Sequence, residues 1–551
     1  MPAYTAHLDS FARDNLPPRE LWPHFSFDLP ELQYPERLNC ATELLDRMVK
    51  RGLGEKTVFY TPNERWTYGQ LLERANRIAQ VLRDDFGLVP GNRVLLRAAN
   101  NPMLVACWFA VLKAGGIAVT TMPLLRAREL AVILEKAQIR LALCDERLAE
   151  ELEQARARAP VCEQVCYFNG SGQPGATAEL EARMRHVGPA FDNVDTSRDD
   201  TALIAFTSGT TGRPKGTMHV HRDVMAICDC FPRSTLKPTA DDVFIGSPPI
   251  GFTFGLGGVV TFPMRLGASA VLLEAAPPDA LLQAIQEFRA SVCFTSPTAY
   301  RMMLDKSGNS DLSSLTKCVS AGEPLPLPTF EAWQRHTGLR IIDGIGATEM
   351  LHIFISAAGD SIRPGATGRP IPGYQAIVVD EEVRPLPPGE IGRLAVRGPT
   401  GCRYLADERQ KEYVRDGWNL TGDAYKIDED GYFWFQARTD DMIISAGYNI
   451  AGPEVEEALL EHDAVAECAV VGAPDPVRGQ IVKAFVVPRK GIAGSDVMRK
   501  ELQEFVKQRI AAYKYPRSVE FLDALPRTET GKVQRFRLRQ MEAERAVAPV
   551  V

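Results

Sequence analysis

The 551-residue sequence has no apolar run long enough to cross a bilayer. The longest, Met103 to Leu112, is ten residues, about half of what a spanning helix needs, so membrane insertion is not expected. The opening Met1-Pro2-Ala3-Tyr4-Thr5, followed by His7, Asp9, Arg13 and Asp14, lacks the basic start and apolar block of a secretory leader. A cytoplasmic protein is therefore expected. An excess of basic charge is also missing: 63 Lys and Arg stand against 70 Asp and Glu, a net charge of −7, which argues against a nucleic-acid partner. The 11 cysteines are scattered. Their close pairs, Cys228 with Cys230 and Cys162 with Cys166, have no second Cys or His pair at zinc-site spacing. Reduced thiols are expected, with none marked as a nucleophile. There is no internal repeat and no low-complexity tract. What remains is ordinary for a globular chain, 45% hydrophobic and 24% charged, at a length that calls for at least two domains.

The most informative stretch is Thr207-Ser208-Gly209-Thr210-Thr211-Gly212-Arg213-Pro214-Lys215-Gly216. Glycine lets backbone N–H groups approach an anion closely. The Ser and Thr hydroxyls add donors, and Lys215 adds a positive charge. Ala202 to Phe206 reads as a buried strand delivering this loop. Pro214 stands where a G-x-x-x-x-G-K-[ST] loop needs its second glycine. The stretch is therefore a polyphosphate-holding loop of another kind.

Strand–helix alternation dominates the chain. Thr67 to Phe86 has helical spacing, Arg93 to Leu96 is a short strand, Met103 to Lys113 a buried helix, and Gly115 to Thr120 a turn into another strand. Helix Ala127 to Gln138 precedes strand Leu141 to Leu143. Further strands are expected at Ala270 to Leu273, Val292 to Phe294 and Arg340 to Ile342, with a helix at Pro278 to Phe288. This rhythm implies parallel sheets with helices on their faces. Residues 365 to 440 differ: prolines surround short strands such as Gln375 to Val379 and Gly392 to Val396, an antiparallel or barrel-like unit. After Asp440 a small α/β module restarts, with helices Pro453 to Leu460 and Asp496 to Arg509 and strands Val465 to Gly472 and Ile481 to Pro488. The expected fold class is α/β: an N-terminal domain, 1–440, of two parallel-sheet subdomains plus a β-rich unit, and a C-terminal lid, 441–551. Residues 1 to about 40, rich in Pro and aromatics, are expected to lie across the first domain.

Several short motifs add chemistry. Gly344-Ile345-Gly346-Ala347-Thr348-Glu349 follows a strand, where glycines let a ligand lie against the backbone. Glu349 is a hard oxygen ligand suited to Mg2+. Thr421-Gly422-Asp423 offers a carboxylate suited to a diol such as ribose, and Arg438 can reach a phosphate or the same ribose. Pro526 to Lys532 presents a lysine on a glycine-containing loop. Singly these signals are weak, since a lone Gly-x-Gly is usually a turn and a lone lysine a surface charge.

Together and in this order they resemble the ANL superfamily of acyl-CoA synthetases, nonribosomal adenylation domains and luciferases, over essentially the whole chain. Ser445-Ala446-Gly447-Tyr448-Asn449-Ile450 and Gly531-Lys532 complete the match. The resemblance implies two half-reactions. A carboxylate attacks the α-phosphate of Mg·ATP, giving an acyl-adenylate and pyrophosphate, and a thiol then displaces AMP. Lys532 is implied as the catalytic lysine that neutralises the repulsion between carboxylate and phosphate, with Thr348 and Glu349 beside it and Glu349 holding the metal. Thr207, Ser208, Gly209, Thr210, Thr211 and Lys215 would grip pyrophosphate. Asp423 and Arg438 would fix ribose. Gly322, Glu323, Asp343, Gly344, Ile345 and Gly346 would frame adenine, Ile345 standing where many relatives carry an aromatic ring. Asp440 matches the hinge of a rotating C-terminal domain, and Gly447 and Tyr448 would line the tunnel for coenzyme A.

Amino-acid-activating relatives carry an acid after the phosphate loop to meet the substrate ammonium. Here Ser247 to Gly257 contains none, and an unpaired buried ammonium is costly. Phe252 and Phe254 offer flat apolar walls instead. Asp343 to Phe354, Val319 to Glu323 and Phe254 to Gly257 resemble the benzoate-CoA ligase branch. The N-terminal Asp14-Asn15-Leu16-Pro17-Pro18 and Trp22-Pro23 resemble 2-aminobenzoate-CoA ligases. The implied substrate is a small aromatic carboxylate, with Phe252, Phe254, His352 and Ile353 in its pocket and His352 available to hydrogen-bond an aniline nitrogen. His352, Phe252 and Phe254 can equally be core residues. A ligase for medium-chain or other acids, adenylation feeding a carrier protein, and a non-catalytic nucleotide-binding regulator remain alternatives. The oligomeric state is open between monomer and homodimer.

Overall fold

The computed structural model describes residues 4–547 except 174, 208–213, 309, 439–440, 446–447, 476–477, 511–513 and 528–531. Two sheets make the core of the first 370 residues. A six-stranded sheet runs in the order Gln164–Phe168, Leu141–Asp145, Arg93–Arg97, Ile117–Thr121, Thr201–Thr207, Lys215–Val220. It is parallel except for its last pair, which is antiparallel with Thr207 opposite Lys215. A nine-stranded sheet centres on the parallel strands Val243–Gly246, Val292–Thr295, Lys317–Ala321 and Ile341–Gly346. The helix Pro102–Lys113 is buried along its whole length, as befits an apolar segment between layers.

The expected helix in Thr67 to Phe86 is Tyr68–Asp84. Thr67 caps it, and its side chain and that of Gln70 exchange hydrogen bonds with each other's backbone. Helix Pro278–Phe288 falls where the spacing puts it. Two differences bear on the site. The strands flanking the Thr/Gly stretch pair with each other, because Lys215–Val220 returns antiparallel beside Thr201–Thr207. The strand expected at Arg340 to Ile342 is Ile341–Gly346, so the glycines lie inside it. It continues because Ile353–Ser356 pairs with its end, Gly344 opposite Ser356.

The β-rich unit is antiparallel: Gln375–Val379, Ile391–Arg397, Trp418–Ile427 and Val414–Arg415, with Phe433–Arg438 also on Trp418–Ile427. A fourth sheet joins Tyr448–Ile450, Ile443–Ser445, Gly479–Pro488, Val465–Asp475 and Ser518–Phe521, packed by helices Gly452–Leu460 and Asp496–Arg509. The N-terminal lead reaches across units: Leu8 bonds to Pro90, Ser26 to Gly398 and His24 to Gly417 through backbone. All eleven cysteines are buried and free. Among the described residues no helix is long and apolar enough to cross a membrane.

Candidate active site

The carboxyl ends of the parallel strands open into one cleft of ≈ 1840 Å³. That exceeds the ~300–1,000 Å³ of a pocket for one small ligand, so it has room for more than one reactant. Thr207, Lys215, Glu349, Asp423, Arg438 and Lys532 all line it.

At one end stand the hairpin strands. Lys215 Nζ lies 3.4 Å from the Tyr404 hydroxyl and 5.1 Å from its ring centroid. That hydroxyl donates to Glu349 Oε1 at 2.5 Å. Glu349 sits in the short helical turn Thr348–Met350 and is buried. Among the described residues the bond from Tyr404 is the one hydrogen bond its carboxylate makes, and it goes to Oε1. A buried carboxylate with its second oxygen outside that hydrogen bond is a hard oxygen donor that fits Mg2+. The carbonyl of Thr348 accepts from His219 Nε2 at 2.7 Å, which fixes the proton on that nitrogen. Behind it, His219 Nδ1 is 3.5 Å from Asp223, and Asp223 pairs with Arg403, all three fully buried. Despite full burial, Asp223 keeps a pKa below the ordinary value, because Arg403 and His219 outweigh desolvation.

In the middle, Asp423 and Arg438 face each other across neighbouring strands, with Nη1 3.2 Å from Oδ1. Arg438 lies against the bare backbone of Gly422, where an added Cβ would come within 2.2 Å of Nη2. Lys532 reaches in from the C-terminal unit: a Cβ on Gly322 would meet its Cε at 3.7 Å and its Nζ at 3.8 Å. Gly322 has φ +89°, a conformation that itself favours glycine. Lys532 is exposed by surface area yet crowded by protein. Desolvation lowers its pKa, Glu323 and Asp423 pull it back, and Arg438 lowers it further. Glu323 is held by the Thr298 hydroxyl at 2.7 Å. Asp343 is pushed up to about 7 by burial, against the Gly344 N–H, and among the described residues its Oδ1 has no partner.

The far end is aromatic. Phe252, Phe254, His352 and Ile353 line it. The His352 ring packs against Phe262 (4.4 Å between centroids), Phe254 (5.6 Å) and Phe294 (6.4 Å). Among the described residues neither ring nitrogen has a hydrogen-bond partner. Burial lowers its pKa to about 3, against a smaller upward pull from the Phe254 backbone, so the imidazole is neutral.

Residues 45–404 match the family model described as AMP-binding enzyme, and residues 454–532 the AMP-binding enzyme C-terminal domain. The chain belongs to the AMP-binding enzyme family. Benzoate–CoA ligase from Thauera aromatica is 34% identical over 517 residues, 93% of this chain and 97% of that one. The crystal structure of the anthranilate CoA ligase AuaEII in complex with anthranoyl-AMP is similar at TM-score 0.89 and 33% identity, over 94% of this chain and 100% of that one. A benzoate CoA ligase from Burkholderia xenovorans LB400 gives 0.83 at 32%, over 91% and 100%. The resemblance to the ANL acyl-CoA synthetases is thus borne out, as is the α/β fold class, and the chain is an enzyme, an AMP-forming acid–thiol ligase.

Of the residues singled out from sequence in this AMP-binding enzyme, the cleft brings together Thr207, Lys215, Gly322, Glu323, Asp343, Gly344, Ile345, Gly346, Thr348, Glu349, Asp423, Arg438 and Lys532. Ser208, Gly209, Thr210, Thr211, Asp440 and Gly447 lie outside the described residues, and of Tyr448 only the strand Tyr448–Ile450 is described. Tyr404, His219, Asp223 and Arg403 were missed. No local motif marks them; they are buried behind the cleft and connect to its lining through side-chain contacts between distant segments.

Proposed function

We propose that this enzyme is an aryl carboxylate–CoA ligase acting on 2-aminobenzoate or benzoate. It would adenylate the acid with ATP and then form the thioester with coenzyme A, releasing AMP and pyrophosphate. The observation that carries the substrate class is His352, a neutral imidazole whose two nitrogens have no partner among the described residues, inside a ring of phenylalanines at the end of the cleft. An aromatic ring matches the walls, and the imidazole can meet a substituent that needs a hydrogen bond rather than a charge.

In this reading the acid carboxylate lies between His352 and Lys532. Lys532 offsets the repulsion as one carboxylate oxygen attacks the α-phosphorus and pyrophosphate leaves. Asp423 accepts from the ribose hydroxyls, with Arg438 held beside it. Asp343, Glu323 and residues 344–346 frame adenine. Lys215, with Ser208 to Thr211 of the same stretch, would hold the departing phosphates. Mg2+, held by Glu349, would neutralise phosphate charge there when bound. For the second half-reaction the lid, taken as 441–551 turning at Asp440, withdraws Lys532, and Gly447 and Tyr448 line the thiol's path.

A steady-state panel of substituted benzoates and aliphatic acids with ATP and CoA tests this. 2-Aminobenzoate or benzoate should give the highest kcat/KM. Preference for an aliphatic acid would overturn the aryl assignment.

A further inference from the structure

We propose that Tyr404 is a positioning residue of adenylation, its hydroxyl tying the Lys215 ammonium to the Glu349 carboxylate. The proposal rests on the adenylation reading above and adds a residue to it. Tyr404 is fully buried. Its hydroxyl sits between the two charges, donating to Glu349 Oε1 at 2.5 Å with Lys215 Nζ 3.4 Å away. A phenol has one proton to give. Given to Glu349, it leaves the oxygen lone pairs for Lys215.

The residue is itself fixed from three sides. Its backbone bridges to Thr217 in the returning hairpin strand, and the neighbouring residues bond to the same strand, Met218 N–H to the Arg403 carbonyl and Leu405 N–H to the Gly216 carbonyl, each at 2.8 Å. Its N–H donates to Gln410 Oε1 at 2.8 Å. Its ring meets Tyr413 edge-on at 5.8 Å. A hydroxyl held this firmly sets where Glu349 Oε1 stands. The other carboxylate oxygen, which lies outside that hydrogen bond, is then oriented without an induced rearrangement. A purely structural role would be to satisfy a buried hydroxyl; such a role would not distinguish metal-dependent from metal-free nucleotide binding.

The test is Tyr404→Phe, which keeps the ring packing and removes only the hydroxyl. Calorimetry with a non-hydrolysable ATP analogue, with and without Mg2+, reads the effect apart from activity. The affinity gained on adding Mg2+ should fall about tenfold, while metal-free affinity and the melting temperature hold. Thioester formation from supplied aryl-adenylate should be unchanged. An equal loss of metal-free and metal-dependent affinity, or no loss of either, overturns the proposal. If Tyr404→Phe lowers stability, the double variant with Glu349→Gln decides. A loss no larger than that of Glu349→Gln alone supports coupling through Glu349, and additive losses overturn it. Failure of the aryl panel would leave these nucleotide measurements standing, so the two readings fail separately.

Discussion

Removing the Lys532 ammonium should separate the two half-reactions. Its amine lies against Gly322 within the influence of Glu323 and Asp423, where two anions would have to meet. Lys532→Ala should lower ATP–pyrophosphate exchange by about 10²–10³-fold, the range for losing one preorganised electrostatic donor. Thioester formation from supplied adenylate should change little. Equal loss in both halves would remove the role assigned to it. Asp343 allows a prediction of stability against pH. Burial raises its pKa from 3.8 to about 7. Between those values the native state keeps a proton that the unfolded chain has released. The stabilisation is therefore full below the unfolded pKa and is lost as pH rises toward about 7. Asp343→Asn does not titrate, so its melting temperature relative to wild type should climb between about pH 4 and about pH 7. A constant difference would mean the carboxyl ionises normally. His352 sets the third test at this scale. His352→Leu should narrow the preference between 2-aminobenzoate and benzoate in kcat/KM by about tenfold, the cost of a lost hydrogen bond to a buried polar group. An unchanged ratio would make His352 a packing residue.

At the scale of elements, the aryl end depends on a π-helical turn, Gly257–Thr261, of the kind often found at functional sites. A Cβ on Gly257 would stand 2.3 Å from His352 Cδ2 and 2.5 Å from Nε2. The imidazole has no room to retreat, with the Phe262 ring 4.4 Å behind it. Gly257→Ala should therefore raise the KM for the aromatic acid by about tenfold, within the ~1–3 kcal/mol cost of overpacking, and leave the KM for ATP unchanged. A rise in both would point to general unfolding of the cleft. Elements built on local pattern were legible beforehand. Helix Pro278–Phe288 carries its spacing in its own sequence, and Gln375–Val379 its β-branched residues. What escaped depends on pairing between distant segments. The hairpin needs Lys215–Val220 beside Thr201–Thr207. The Gly344 to Gly346 strand extends because Ile353–Ser356 covers it. Tyr404 is placed behind Glu349 by a backbone bridge to Thr217. No periodicity within one segment encodes these partners. Asp423 and Arg438 were legible as motif residues, but their facing positions on adjacent strands were not.

For the whole molecule, the order of motifs along the chain was readable, whereas the contacts that seat the C-terminal unit over the cleft were not, because they join surfaces with no shared pattern. Two hydrogen bonds make that seating visible. Arg301, on helix Pro297–Lys306, donates to the Val465 carbonyl at 3.4 Å. Glu457, on helix Gly452–Leu460, accepts from the Leu327 N–H at 3.0 Å. Both are made in the arrangement that brings Lys532 to Gly322, the one proposed above for adenylation, and both must break if the lid rotates for the thiol step. Each bond is worth about 1 kcal/mol, or about a fivefold bias between the two arrangements. Arg301→Ala with Glu457→Ala should then reduce ATP–pyrophosphate exchange by about tenfold or more. Thioester formation from supplied adenylate should stay level or rise, since a smaller fraction of the enzyme has to leave the closed arrangement first. Parallel losses in both half-reactions would show that these contacts support the fold and not the balance between arrangements. An unchanged exchange rate would show that Lys532 and the bound nucleotide hold the lid without them.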